Sequence, residues 1–263
     1  MKYRNSIFDA HYHTFKIGRE IFIFAFSRPK ILFICPHTAS HAILRPMQPA
    51  QANANAIPRR VLYVGRLSPE KGVDVLLRAW SLLLHSPFSA DAAANHSSLV
   101  TRHLSLTIVG DGPERPMLES LASTLGIADH VEFTGALSHS ATRDMMTSAS
   151  LLVFPSIGYE TFGLAILEAA SLGVPAIVTD IGGQTALVQD GVTGRHVPPG
   201  DPSALASALQ DLLSNPVALR RMGEAAHTAF EASDCIPSRN LSRLERMYAS
   251  CVRPAPNHLE NHG

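Results

Sequence analysis

Residues 155–175 read PSIGYETFGLAILEAASLGVP. An apolar run of strand length, LLVFP (151–155), leads into this stretch, and a polar turn follows it. The turn then enters an apolar helical segment headed by Phe162-Gly163-Leu164. A buried-type strand that feeds a helix through a short turn is the unit from which parallel sheets are built. Two carboxylates, eight residues apart, flank that helix start: Glu160 stands just before it, and Glu168 lies about two turns inside it. A helix start offers unpaired N–H groups and the positive end of the helix dipole, which suits phosphate. Gly163 lets a ligand approach the backbone closely. Carboxylates on either side of that phosphate can accept hydrogen bonds from hydroxyls, and hydroxyls flanking a diphosphate describe a nucleotide-sugar.

Working outward, the chain alternates strands and helices from residue 61. Expected strands are VLYVG (61–65), SLTIVG (105–110), HVEFTG (130–135), LLVFP (151–155) and PAIVTD (175–180). Expected helices cover 73–84, 113–126, a short piece near 139–147, the segment carrying Glu168, a short start at GGQTALVQDG, 203–214, 216–232 and 237–251. Non-alternating apolar strands in this order predict an α/β fold, a Rossmann-like parallel sheet with helices on both faces. Ligands of such sheets bind beyond the carboxyl ends of the strands. The unusual residues all lie there: Gly65-Arg66, Gly110-Asp111-Gly112, Gly135-Ala136-Leu137, Ser156 through Glu160, and Asp180-Ile181-Gly182-Gly183.

VGRLSPEKG (64–72) sets Arg66 just past a strand and Lys71 beside Gly72 at a helix head. Two cations at one strand end suit a diphosphate and the charge that develops on it as it leaves. An exposed Arg66–Glu70 ion pair of little energetic weight is the alternative. VGDGPER (109–115) turns sharply after a strand, with Gly110 and Gly112 either admitting a ligand or only making the turn. It is not the dinucleotide fingerprint, because no third glycine follows at the required spacing. With no acidic ribose-binding residue after one either, a Rossmann-type oxidoreductase is a poor reading.

The full pattern PS-x-x-E-x-FG-x4-E-A-x-x-x-G-x-P, together with G-R-x-x-x-E-K-G at Gly65, Arg66, Glu70, Lys71 and Gly72, resembles the donor site of retaining family 4 glycosyltransferases. The resemblance covers residues ~58 to ~232. It implies the carboxyl-terminal lobe of a two-lobe GT-B architecture, which binds a nucleotide-diphosphate sugar. It also implies roles. Arg66 and Lys71 would hold the diphosphate, Glu168 the ribose hydroxyls and Glu160 the sugar hydroxyls. Gly65, Gly110, Asp111 and Gly112 would line the donor, and Leu137 would meet the nucleobase through its main chain. Thr161, Phe162, Gly163 and Leu164 would complete the phosphate cradle, with Ser156 a minor polar contact. Transfer would proceed with retention and without a metal or other cofactor. Members of that family usually carry Glu three residues past the Gly-Gly, where this chain has Ala186.

Length and composition allow one large domain or two small ones. The chain has 263 residues, 46% hydrophobic and 17% charged, enough to bury a substantial core. Net charge is zero but uneven: residues 1–60 hold nine Lys/Arg against two Asp/Glu, +7, and the rest thirteen against twenty, −7. The acidic folded part argues against nucleic acid as a partner. The basic front is either an irregular leader or a surface for anionic lipid or a partner chain. Cys35, Cys235 and Cys251 are odd in number, far apart and without metal-ligand spacing, as expected of free thiols in a reducing compartment. His11 and His13 are the closest histidine pair in DAHYHTF, and no metal site is expected from them. IFIFAF (21–26) and ILFIC (31–35) fall short of a membrane span.

The expected organisation is therefore a leader and linker over 1–57, a remnant of an amino-terminal lobe in which RPKILFICPH imitates one strand at most. A nucleotide-sugar-binding lobe over 58–235 and a terminal helix and tail over 236–263 follow. Residues 86–103 read as an exposed loop and 46–60 as a linker. The expected function is a glycosyltransferase acting on an unknown glycan, lipid or small-molecule acceptor. It would work in the cytoplasm or at the inner face of a membrane. The alternative is a donor-lobe fragment that binds a nucleotide-sugar but is inactive alone or needs a partner chain to supply the acceptor lobe.

Overall fold

A computed structural model of the chain describes residues 59–85 and 104–233, and the backbone of three strands at 11–17, 20–27 and 30–33. The linker before residue 59, the loop at 86–103, the helix expected at 237–251 and the three cysteines lie outside the described residues. The chain divides into two units, Met1–Arg45 with Ala232–Gly263, and Pro46–Glu231.

In the first unit, β1 (His11–Ile17), β2 (Glu20–Ser27) and β3 (Lys30–Phe33) form an antiparallel sheet in that order. The sequence argument expected one strand here at most. Register shows why less chain suffices: Ile17 pairs with Glu20 and Ser27 with Lys30, so each connection holds only two residues.

The second unit holds six parallel strands: β4 (Arg59–Val64), β5 (Leu104–Val109), β6 (Val131–Gly135), β7 (Leu151–Phe154), β8 (Ala176–Thr179) and β9 (Gly194–Val197). Their order across the sheet is β6-β5-β4-β7-β8-β9. From the central pair β4 and β7 the chain winds outward in opposite directions, so the topological switch point falls between these two strands. The expected Rossmann-like sheet is present, with one strand more than expected. β9, GRHV, was missed because it pairs only with β8 and carries a single large apolar residue, Val197. Gly194 begins it because a Cβ there would lie 2.0 Å from the Ala176 carbonyl oxygen.

Among the described residues six helices cover the sheet: α1 (Val73–His85), α2 (Arg115–Thr124), α3 (His139–Thr147), α4 (Leu164–Ser171), α5 (Pro202–Ser214) and α6 (Pro216–Ala232). Side chains of β4 alternate between two cores. Val61 and Tyr63 pack with α1, α2, α5 and α6, whereas Leu62 and Val64 pack with α3 and α4. Burial on both faces explains the unbroken apolar runs that mark these strands in the sequence.

Candidate active site

The two central strands end beside each other, and the segments leaving them build the site. From β4 the chain runs through Gly65, Arg66, Leu67 and Ser68 into a 3-10 turn, Pro69–Lys71. The buried Tyr63 reaches up from the core and donates from its hydroxyl to the Arg66 carbonyl oxygen at 2.8 Å. Burial, reinforced by the charges of Glu160 and Glu70, pushes the Tyr63 phenol well above its ordinary pKa, so it is a permanent neutral donor. The Arg66 side chain is exposed, and no hydrogen bond or ion pair to its guanidinium is found among the described residues.

Gly72 closes the 3-10 turn with φ 64°. A Cβ there would stand 2.2 Å from the Pro155 carbonyl oxygen, so only glycine lets the β4 and β7 segments close on each other. The Glu70 carbonyl oxygen then accepts from the backbone N–H groups of Ile157 and Gly158, at 2.9 and 3.1 Å. The Glu70 carboxylate is turned the other way. It accepts from the Ser68 hydroxyl at 2.6 Å, and that bond first, then its own backbone N–H and the nearby Lys71 and Arg66 charges, hold its pKa down. No Arg66–Glu70 ion pair forms among the described contacts; the guanidinium acts on Glu70 only at longer range.

Suturing the two segments is Lys71, whose Nζ lies 2.5 Å from Glu160 Oε1. The same carboxylate oxygen accepts from the Ser156 hydroxyl at 2.6 Å. Lys71 and Glu160 are both largely buried, 19% and 14% exposed, so this pair is screened far less than a surface ion pair. Lys71 also stands 5.8 Å from the centre of the Phe154 ring. Lys71, Ser156 and Glu160 therefore belong to one cluster at the switch point, and Arg66 lies on the loop that leads from β4 into it.

Glu168 occupies a second position. Helix α4 begins at Leu164, capped by Gly163, so Glu168 sits about one turn inside the helix. The expected two turns counted Phe162 and Gly163 as helical. Glu168 Oε1 lies 3.9 Å from His139 Nδ1 at the head of α3. Burial raises the Glu168 pKa, and the nearby His139 and Arg143 charges oppose that shift. Phe162 is half-buried; Leu164 and Tyr159 are exposed, at 62% and 87%. Leu137, 36% exposed, precedes Ser138, whose hydroxyl caps α3 by accepting from the Ala141 N–H.

The Gly110-Asp111-Gly112 loop has a structural occupation of its own. A Cβ on Gly110 would fall 1.8 Å from the Gly65 carbonyl oxygen, and one on Gly112 2.2 Å from that of Leu67. The close approach these glycines permit is to the Arg66 loop. Asp111 accepts from the Gly112 N–H at 2.8 Å and pairs with Arg115 at 3.6 Å. The loop thus braces Gly65 and Arg66 from the β5 side, where Leu67 N–H donates to the Asp111 carbonyl oxygen.

Sequence reasoning missed Tyr63, His139, Thr179 and Gln184. Tyr63 carried a signal, a polar tip inside an otherwise aliphatic strand. Thr179 and Gln184 carried none, since their role depends on which loop packs beneath Glu160. Among the described residues no three His, Cys, Asp or Glu gather as a metal site, and no helix is long and apolar enough to cross a membrane.

Comparison with known proteins places the chain in a family. The model of the group 1 glycosyl transferases matches residues 45–229. The chain is 37% identical over 166 residues to an alpha-D-kanosaminyltransferase of Streptomyces kanamyceticus, covering 63% of this chain and 39% of that protein. It is 39% identical over 166 residues to a D-inositol 3-phosphate glycosyltransferase of Streptomyces coelicolor, covering 63% of this chain and 35% of that protein. Among solved structures, sucrose-phosphate synthase from Thermosynechococcus elongatus superposes with a TM-score of 0.63 at 28% identity, over 80% of this chain and 51% of that one. The Anabaena protein HepE in complex with UDP and glucose superposes with a TM-score of 0.60 at 22% identity, over 73% and 48%, a likeness of fold. This chain spans under two-fifths of the length of the two curated relatives. A match over more than half of its residues, on a doubly wound sheet whose switch point gathers Lys71 and Glu160, makes the chain a member of the group 1 glycosyl transferases.

Proposed function

We propose that this lobe binds a nucleotide-diphosphate sugar and is the donor side of a family 4 glycosyltransferase that transfers the sugar with retention of configuration. The Lys71–Glu160 pair at the switch point, with the exposed Arg66 on the same loop as Lys71, carries the reading. Arg66 and Lys71 face the diphosphate and offset the charge that grows on it as the glycosidic C–O bond breaks. Backbone N–H groups at Thr161, Phe162, Gly163 and Leu164 assist. Glu160 accepts from hydroxyls of the donor sugar and Glu168 from those of the ribose. With retention, the acceptor approaches on the face the diphosphate leaves, and its hydroxyl proton passes to the departing phosphate oxygen. No carboxylate base is then required. The acceptor is a glycan, a lipid or a small molecule. The reaction belongs to the cytoplasm or the inner face of a membrane.

Support comes from the site geometry and from HepE, a protein of the same fold that was crystallised with UDP and glucose. Calorimetric titration of UDP, GDP and ADP into the chain tests it. One nucleotide is expected to bind, with affinity reduced about tenfold or more in Arg66→Ala and Glu168→Ala. Absence of binding by all three would overturn the reading. Binding without transfer, relieved by an added partner chain, would favour a donor lobe that works only with a second chain.

A further inference from the structure

Glu160 is held from below by a buried polar chain that no donor contact explains. Ser156, which donates to Glu160 Oε1, is only 1% exposed. The Ser156 carbonyl oxygen accepts from the Thr179 hydroxyl at 2.5 Å. Thr179, at the end of β8, in turn accepts from Gln184 Nε2 at 2.6 Å. Gln184 lies in the 3-10 turn Gly182–Ala186 and is completely buried. That turn also reaches Glu160 directly, because the Gly183 N–H donates to the Glu160 carbonyl oxygen at 2.8 Å. Gly182 and Gly183 make room for this, since a Cβ on either would come within 3.0 Å of the Glu160 or Thr161 backbone.

The donor and acceptor inventory fixes the direction of the chain. Thr179 has one hydroxyl proton, given to Ser156, so its lone pair must take the Gln184 amide proton. Ser156 also has one proton, and its shorter bond is to Glu160, 2.6 Å against 3.2 Å to the Glu70 carbonyl oxygen. Glu160 Oε1 therefore receives both Ser156 and Lys71, while Oε2 has no partner among the described residues. One carboxylate oxygen takes both protein donors, and the other is left to accept from elsewhere.

Gln184 does this at a disadvantage to the fold. Its Oε1 is buried without a partner among the described residues. A buried unsatisfied acceptor lowers stability, so an apolar side chain of the same size would suit the core at least as well. We infer that Gln184 and Thr179 are positioning residues for Glu160, aligning the carboxylate that meets the donor sugar. The inference rests on the donor-site reading for its ligand, and on the hydrogen-bond chain alone for its geometry.

Two measurements test it. In the ligand-free chain, amide hydrogen exchange is compared between wild type, Gln184→Met, Thr179→Val and Thr179→Ser. Gln184→Met is expected to speed exchange at Ile157, Gly158 and Gly183 by about tenfold, through loss of the bonds from Gln184 Nε2 to the Thr179 hydroxyl and carbonyl oxygens, without lowering Tm. Thr179→Val should do the same and Thr179→Ser should not. Unchanged exchange in Gln184→Met would overturn the proposal, and so would a lowered Tm with faster exchange throughout the lobe. In the second measurement, UDP, GDP and ADP and their glucose conjugates are titrated into wild type and Gln184→Met. The variant should bind the preferred sugar conjugate about tenfold more weakly and the bare nucleotide within about twofold of wild type. Equal weakening of both would overturn the link to Glu160. No binding by wild type would sink the donor-site reading, leaving the exchange result to decide the positioning role.

Discussion

Gly72 faces the Pro155 carbonyl oxygen across the switch point, so closely that the hydrogen on its Cα occupies the only space available there. This contact joins the segment carrying Lys71 to the one carrying Glu160. Gly72→Ala combines a left-handed φ of 64° with a 2.2 Å clash against backbone, which cannot rotate away. We expect it to destabilise the lobe by about 2–4 kcal/mol in urea unfolding, the sum of strain and a forced backbone shift. Donor binding should fall with it, because the Lys71–Glu160 distance opens.

Arg66 should separate binding from stability. Its guanidinium is exposed, and the loop is held by Tyr63 and by the glycines at 110 and 112 rather than by the side chain. Arg66→Ala is expected to change unfolding free energy by no more than about 0.5 kcal/mol. Nucleoside diphosphate affinity should fall roughly tenfold to a hundredfold, the range for one charge-assisted contact. Calorimetry beside denaturant unfolding measures both, and a stability loss above 1 kcal/mol would show Arg66 to be part of the fold.

Much of this fold was legible because its strands are buried on both faces. Apolar runs such as LLVFP and VLYVG cannot be satisfied at a surface, and the helices between them force parallel pairing. The edge strand β9 lacked that signature: Arg195 and His196 are half-exposed and need no apolar neighbour. The antiparallel strands β1–β3 were missed for the opposite reason, since hairpins need only two-residue turns rather than crossovers. At the site, the side chains with charge stood out at strand ends. What the sequence could not show is which of them meet. That Ser156 serves Glu160, that Gly110 accommodates Gly65, and that Gln184 lies under the site all follow from how three loops pack.

Lys71 and Glu160 should behave as a coupled pair. Removing either partner leaves the other charge largely buried, so Lys71→Met and Glu160→Gln should each destabilise the chain by about 1–3 kcal/mol. The double variant should lose less than the sum, with a coupling energy of about 1–3 kcal/mol in a double-mutant cycle. Simple additivity in urea unfolding would mean that the 2.5 Å contact contributes nothing net. Donor binding is expected to fail in all three variants, because the phosphate and sugar contacts are lost whichever member is changed.

Glu168 contributes its own pH dependence to the stability of the lobe. Burial lifts its folded pKa above the unfolded value, while His139 and Arg143 limit the rise. The folded state therefore binds more protons than the unfolded state once pH passes the ordinary glutamate range. By linkage, this residue's contribution falls as pH rises through the interval between its unfolded and folded pKa values, and is constant on either side. Glu168→Gln abolishes that slope, so the variant should gain stability relative to wild type as pH increases from about 4 through the acid range. Nucleotide affinity should move the opposite way in the wild-type protein, increasing with pH as the carboxylate ionises and becomes a stronger acceptor for ribose hydroxyls. Urea unfolding and calorimetry across the same pH series check both signs. Parallel stability profiles for wild type and Glu168→Gln would show that the His139 and Arg143 charges offset the burial completely and leave no net rise in this pKa.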